Sequence, residues 1–257
     1  MRIVSDANIF GVSELFCHYG DVKVLSGSKI ARSDLIGAQV LLVRTTTRVN
    51  RELLQDTSIR FVGSATSGID HIDLKYLKSE NIEFAHSPGN NANAVVQYDL
   101  SVFANLRPDW RALTIGIIGC GKVGGRLYTL LKELDVKIRV YDPFLSDSQI
   151  PELIDLHEVL KSDIVCLHTP LTFNGKHPTA NLLDEEKINR LPAGALLVNA
   201  SRGGVLNEDA LFRRLKSKND LHVALDVWDS EPSINLPLMN RVALATPHIA
   251  GYTLEAK

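Results

Sequence analysis

Cysteine is scarce in this chain and arranged for nothing. Cys17, Cys120 and Cys166 are the three among 257 residues, and they lie far apart with no CxxC pair. A disulfide framework and a thiolate metal centre are thereby excluded, and no metal is expected. Each cysteine sits among apolar neighbours, where a buried free thiol is the expectation. Long hydrophobic runs are missing too, since nothing approaches the roughly 20 apolar residues that cross a bilayer. The opening Met1-Arg2-Ile3-Val4-Ser5-Asp6 has no apolar signal core, so export is not expected. An excess of one charge is also missing. The net charge of -2 gives no electrostatic reason to expect nucleic acid or an acidic membrane as a partner. Repeats and low-complexity tracts are absent. These absences describe a soluble, cytoplasmic protein of a reducing compartment.

What is present is an ordinary globular composition, 45% hydrophobic and 23% charged, long enough for two modest domains. Short apolar runs alternate with amphipathic stretches. In the first third, Val40 to Val43, Phe61 to Gly63 and Ile82 to Phe84 read as strands. Asp34 to Ile36, Arg51 to Leu54 and Leu74 to Lys78 read as helical pieces. Further on, strands are expected at Thr114 to Gly119, Lys137 to Asp142, Ile164 to His168, Ala195 to Ala200, Leu221 to Asp226 and Val242 to Ala245. Most are unbroken apolar runs, as strands buried on both faces require. Helices are expected near 122–134, 155–162, 184–191 and 208–219. Such alternation implies an α/β fold of parallel sheets. A connecting helix over Asn93 to Leu106 puts the boundary near 94, giving domains 1–93 and 94–251.

The segment Gly119-Cys120-Gly121-Lys122-Val123-Gly124 is a GxGxxG. Alone it says little, because glycine is common. Here it follows the apolar strand Thr114 to Ile118 and opens a helix with Val123, Leu127, Leu130 and Leu131 on one face. The glycines permit a tight turn and a close approach of backbone to a pyrophosphate at the helix N-terminus. The next strand ends at Asp142, 21 residues after Gly121. A carboxylate there accepts hydrogen bonds from a ribose and repels a 2′-phosphate, which favours NAD over NADP. The plain alternative is a tight turn beside a surface acid.

Three later strands run into polar residues: Asn199-Ala200-Ser201-Arg202-Gly203, Asp226-Val227-Trp228-Asp229-Ser230-Glu231-Pro232 and Pro247-His248-Ile249-Ala250-Gly251. Ligands of open parallel sheets bind beyond the carboxyl ends of the strands, so Arg202, Glu231 and His248 are candidates to share one cleft. Oxidising a secondary alcohol needs a base, and an imidazole titrates in the useful range. Glu231 suits the task of orienting His248 and stabilising its imidazolium. Arg202 suits the grip on a carboxylate and the neighbouring oxygen. Each residue taken singly is as well explained as a loop or turn residue; the conjunction carries the reading.

These segments, in this order, resemble the D-2-hydroxyacid dehydrogenase family over essentially the whole chain. The resemblance implies a flavodoxin-like substrate domain followed by a Rossmann NAD-binding domain, both doubly wound parallel sheets. It places catalysis on Arg202, Glu231 and His248, and the cofactor acid at Asp142. It also brings Gly119, Gly121, Lys122, Val123, Gly124, Thr169, Asp226 and Gly251 into the NAD site. The segments Val43 to Asn50, Phe61 to His71 and Pro247 to Glu255 are most similar to a branch of the family whose substrate is a phosphorylated hydroxy acid. That match implies substrate contacts at Thr45, Thr66 and Tyr252. The residues add Arg44 and Arg48, with the hydroxyls of Thr45, Thr46 and Thr47, as donors for an anion in one loop. The amides around Ser67-Gly68 are candidates for the carboxylate.

Family members continue past the position of Lys257 with a helix returning to the first domain, and this branch adds a dimerisation domain. Residues 252–257 would begin the return segment; a homodimer is the family expectation, but the dimerisation region is not among these 257 residues. Residues 99–113 are also shorter than the family leads one to expect. Other readings compatible with the same residues are a dehydrogenase for phosphoglycerate or glycerate, a non-catalytic NAD-sensing module, and an inactive relic that binds NAD.

Overall fold

The computed structural model describes residues 1–253. They divide into two compact units, the first spanning Met1–Asn90 and the second beginning at Asn91. The first contains β1 (Arg2–Asp6), α1 (Val12–Phe16), β2 (Asp21–Leu25), β3 (Val40–Val43), α2 (Arg51–Leu54), β4 (Phe61–Ser64), α3 (Leu74–Ser79) and β5 (Glu83–His86). All strands are parallel, in the order β2-β1-β3-β4-β5, which is the flavodoxin-like arrangement. Val4, Leu41, Val43 and Val62 are fully buried at its centre, and the edge strands β2 and β5 are largely accessible. Helix starts follow local chemistry. The Asn50 side chain accepts from Leu53 N at 3.1 Å and the Asp73 side chain from Tyr76 N at 3.0 Å, each satisfying an otherwise orphaned N–H.

Strands β1 and β2 escape the sequence reading. β1 carries Ser5 and Asp6 at full burial, so its apolar run shrinks to Ile3-Val4. β2 is an edge strand without a buried residue, in which Val24 is exposed and Lys23 half-buried, so its residues show no clear buried face. The expected helical piece at 34–36 is instead a single 3-10 turn, Arg32–Leu35. Cys17 also departs from expectation. It lies exposed in the 3-10 turn Cys17–Tyr19, its thiol donating to Glu14 O at 3.3 Å. Cys120 and Cys166 are buried.

The second unit contains α4 (Ala92–Leu106), β6 (Thr114–Ile118), α5 (Lys122–Glu133), β7 (Lys137–Tyr141), α6 (Leu156–Val159), β8 (Ile164–Leu167), α7 (Glu185–Arg190), β9 (Leu196–Asn199), α8 (Glu208–Ser217), β10 (His222–Leu225), α9 (Leu236–Met239) and β11 (Leu244–Ala245). The strands are parallel in the order β11-β10-β9-β8-β6-β7. An isolated parallel bridge, Val140 to Leu153, marks where a further strand would lie beyond β7. With it, the order is that of a Rossmann sheet extended by one strand at the far edge. Successive residues serve opposite cores, with Val165, Leu167 and Leu197 on one face and Cys166, Val198 and Ala224 on the other. That two-sided burial is why these strands read as unbroken apolar runs. The chain leaves β6 for β7 on one side and returns to β8 on the other, so the order reverses between β6 and β8. Among the described residues, no helix is long and apolar enough to cross a membrane.

Leu197 is fully buried at the centre of the larger sheet. Leu197→Ala is expected to destabilise the protein by about 2–5 kcal/mol, read from urea denaturation; a cost under about 1 kcal/mol would contradict the tight packing assigned here.

Candidate active site

The three glycines after β6 do different work. Gly119 has φ +89°, and a Cβ there would lie 2.8 Å from the His168 carbonyl oxygen. A Cβ on Gly124 would lie 2.0 Å from the Gly119 carbonyl oxygen, so this glycine lets α5 close onto the loop. A Cβ on Gly121 would meet nothing within 4 Å. The second glycine therefore faces open space at the start of α5, where Lys122 and half-buried Val123 begin the first turn. The free N–H groups of that turn and the helix dipole favour an anion.

Asp142 follows β7. Its Oδ2 accepts from Cys120 N at 2.9 Å and its Oδ1 from Phe144 N at 3.0 Å, so the carboxylate is tied to the glycine loop with lone pairs to spare. Gly119, Gly121, Asp142, Phe144, His168 and Thr169 are among the residues lining one cavity of about 380 Å³. Thr169 Oγ1 is buried with no hydrogen-bond partner among the described residues. A backbone cradle, an acid acceptor and an unsatisfied hydroxyl suit a dinucleotide: pyrophosphate at Gly121 and α5, ribose at Asp142.

Behind this cavity lies a pair that sequence reading missed. Asp99 of α4 and His168 are 3.3 Å apart, with 0% and 1% of their side chains exposed. Burial drives the Asp99 carboxyl well above its ordinary range, helped by the nearby charge of Asp226. Burial likewise lowers the His168 imidazole to about 4. Burial in this apolar setting thus disfavours the charged form of both groups. The available signal was an acid on the buried face of α4 beside Val95, Val96 and Val102.

The motif residues of the other three strand ends have local reasons. Asn199 Oδ1 accepts from Ser201 N at 3.1 Å and Ser201 Oγ at 2.8 Å, and Asn199 Nδ2 donates to Arg202 O at 2.9 Å. This turn presents Arg202, whose Nη1 donates to Ser201 O at 2.6 Å. A Cβ on Gly203 would lie 2.1 Å from the Trp228 backbone, so glycine is needed after the arginine. Trp228 N in turn donates to Glu231 Oε1 at 2.8 Å.

Glu231 Oε2 meets His248 Nδ1 at 2.8 Å. Burial pushes the Glu231 carboxyl up, but hydrogen bonds from His248 and Trp228 N outweigh it, and the group ends below its ordinary range. The hydrogen bond to Glu231 raises His248 above its ordinary value against the opposing pull of burial; Asp226 adds to the rise and Arg202 counters it. The charge of Arg202 thus reaches both members of the pair. His248 has φ 56°, a left-handed backbone state that costs a non-glycine residue about 1–3 kcal/mol. Asp226, 1% exposed, holds it there. Its carbonyl accepts from His248 N at 2.7 Å, and its carboxylate from Ile249 N and Ala250 N, both at 2.8 Å. Gly251 closes the loop, since a Cβ there would lie 2.3 Å from Asn91 Nδ2.

In the first unit, the residues expected at an anion lie at the carboxyl ends of β3 and β4. Arg44 is half-buried, with Nη1 3.4 Å from Asn8 O. Thr45 and Arg48 are exposed. Thr47 corrects the expectation of three hydroxyls facing one ligand: it is 4% exposed and donates inward to Gly27 O at 2.9 Å. Thr46 points its hydroxyl at Asp6 Oδ2, 3.3 Å away. Thr66 Oγ1 bridges Ser64 Oγ at 2.7 Å and Gly68 O at 2.9 Å, and Ser67 Oγ accepts from Gly89 N at 2.7 Å. In the second unit, Tyr252 is exposed. Leu254 and Glu255, quoted for the resemblance, and most of the expected return segment lie outside the described residues.

Residues 98–250 match the family model described as D-isomer specific 2-hydroxyacid dehydrogenase, NAD binding domain. All of the chain aligns with 68% of an erythronate-4-phosphate dehydrogenase of Cellvibrio japonicus at 44% identity. It also aligns in full with 69% of the enzyme of the same name from Pseudomonas syringae pv. tomato at 42% identity. Among solved structures, an NAD-bound 3-phosphoglycerate dehydrogenase of Entamoeba histolytica shares 25% identity, with a TM-score of 0.84 over 100% of this chain and 90% of that one. A D-lactate dehydrogenase of Aquifex aeolicus, in complex with NAD and lactic acid, shares the fold at a TM-score of 0.84 and 23% identity, over 100% of this chain and 90% of that one.

The upward shift of His248 sets a measurable limit. A base must be neutral, so base-dependent activity is expected to rise with pH through a value above the ordinary histidine 6.5. Glu231→Gln removes the charge that favours the imidazolium, and the His248 titration, followed by NMR, is expected to move downward. An unmoved titration would show that the pair does not form.

Proposed function

This chain belongs to the D-isomer-specific 2-hydroxyacid dehydrogenase family, and from that premise we propose that it oxidises 4-phospho-D-erythronate to 2-oxo-3-hydroxy-4-phosphobutanoate, within pyridoxal 5′-phosphate biosynthesis. It is an NAD-dependent oxidoreductase. The observation that carries the reaction is the His248–Glu231 contact at 2.8 Å, a base with its orienting carboxylate on adjoining strand ends. The 44% identity along the whole chain to an erythronate-4-phosphate dehydrogenase supports the substrate. A cytoplasmic location and a homodimer belong to the same reading.

Gly119, Gly121, Lys122, Val123, Gly124, Asp142, Thr169, Asp226 and Gly251 are assigned to NAD, which when bound supplies the acceptor for the hydride of C2. With Nδ1 committed to Glu231, His248 has Nε2 left to take the proton of the C2 hydroxyl. Glu231 then stabilises the imidazolium, a charge that costs more to form without it. Arg202 is assigned the substrate carboxylate and the C2 oxygen, where its fork of donors favours developing carbonyl geometry. Arg44 and Arg48 are assigned the phosphate. Thr45, Thr66, Ser67, Gly68 and Tyr252 are assigned the remaining substrate contacts.

NADH formation at 340 nm decides between acids. 4-Phospho-D-erythronate is expected to react faster than 3-phosphoglycerate, D-glycerate and D-lactate, and preference for any of the latter would overturn the substrate. His248→Asn is expected to lower kcat about 10²–10⁴-fold while NADH still binds; an undiminished kcat would remove His248 as the base. Arg44→Ala and Arg48→Ala are expected to raise KM for the phosphorylated acid much more than for D-erythronate, and equal effects on both would move the phosphate elsewhere.

A further inference from the structure

The loop that carries His248 is held from beneath by a hydroxyl chain that starts on α4. Tyr98 Oη lies 2.8 Å from Thr246 Oγ1, and Thr246 Oγ1 lies 2.6 Å from Asp226 Oδ1. The same Asp226 oxygen accepts from Ile249 N, and its partner oxygen from Ala250 N. In this contact Thr246 Oγ1 donates to Asp226 Oδ1. Thr246 Oγ1 is then left to accept from Tyr98. Burial pushes the Tyr98 hydroxyl up to about 12, so Tyr98 stays a donor throughout the working pH range. Trp228 closes a second arm: its Nε1 donates to Thr246 O at 3.1 Å, while its backbone N donates to Glu231.

We propose that Tyr98 and Thr246 are positioning residues for the reaction, aiming the Asp226 carboxylate so that it keeps His248 in its left-handed backbone state with the ring on Glu231. The proposal rests on the assignment of His248 as base. The amides of 249 and 250 each hold one Asp226 oxygen, and the Thr246 hydroxyl adds a third donor, the shortest of the three at 2.6 Å, on the oxygen that Ile249 shares. Without that donor the carboxylate is held by the two amides alone, its aim loosens, and His248 is freer to relax toward the right-handed state that non-glycine residues prefer. The ring then leaves Glu231. The groups whose charge bears on His248 are Glu231, Asp226 and Arg202; on the α4 side, Tyr98 and Asp99 lie within electrostatic reach of Asp226.

The test uses Thr246→Val, which keeps the shape and removes the hydroxyl, with Thr246→Ser and Tyr98→Phe beside it in the full chain. Three quantities are read: kcat with 4-phospho-D-erythronate, NADH affinity by fluorescence, and the His248 titration by NMR. Thr246→Val is expected to lower kcat roughly tenfold or more and to move the His248 titration down toward its ordinary value, and because Asp226 is also assigned to NAD, NADH affinity is expected to fall alongside them. Thr246→Ser should restore most of the rate, and Tyr98→Phe should shift both quantities in the same direction by less. An unchanged rate and titration in Thr246→Val would overturn the proposal. So would weakened NADH binding with the His248 titration intact, which would assign the chain to the cofactor instead. If the unsubstituted protein oxidises none of the acids, the functional reading fails, and the NMR titration still decides whether Thr246 positions His248.

Discussion

The geometry of the loop that carries His248 in the second unit hangs on one buried carboxylate. Asp226 stands at the end of β10 and gathers donors from the segment after β11: Thr246 Oγ1 and the amides of 249 and 250, with His248 N on its own carbonyl. These bonds hold a histidine at φ 56°, a state it would leave if unrestrained. The benefit is directional. From that state the ring meets Glu231, whose other oxygen is fixed by the Trp228 amide. Charge-assisted bonds to a buried carboxylate are among the strongest available to a loop, so the strain at His248 is offset on the spot.

Close backbone approach is the second constraint. Gly119, Gly124, Gly203 and Gly251 each stand where a Cβ would collide with a neighbour, so each permits an approach that a side chain would block. Gly121 is the counterexample, with open space before it. Within the loop after β6 the same residue type thus closes the backbone at Gly119 and Gly124 and leaves it open at Gly121, at the N-terminus of α5. Fitness for a pyrophosphate follows from that contrast more than from the spacing of glycines alone.

Much of this was legible in the sequence. The strands of the second unit stood out because burial on both faces demands unbroken apolar runs, and Ile164–Leu167 is one. β1 was hidden because two of its five residues, Ser5 and Asp6, are polar yet fully buried. Arg202, Glu231 and His248 stood out as candidates because each follows a recognisable strand. Tyr98 and Thr246 could not, since they are 148 positions apart and neither has a local pattern of its own. The run Thr45-Thr46-Thr47 looked like one donor surface, and the structure turns Thr47 inward to Gly27; side-chain direction in a loop depends on the backbone torsions of that loop, not on residue type.

By itself the sequence determined the alternation of strands and helices, the class of the fold, the glycine loop before α5 and the chemical types available for catalysis. It could do so because apolar periodicity and backbone permissiveness are local properties. Tertiary structure alone decided which threonine hydroxyls turn inward, which buried acid lies beside which histidine, and how His248 is held on Glu231. Those are distances between residues remote in the chain, and they exist only once parallel strands bring their carboxyl ends to one edge.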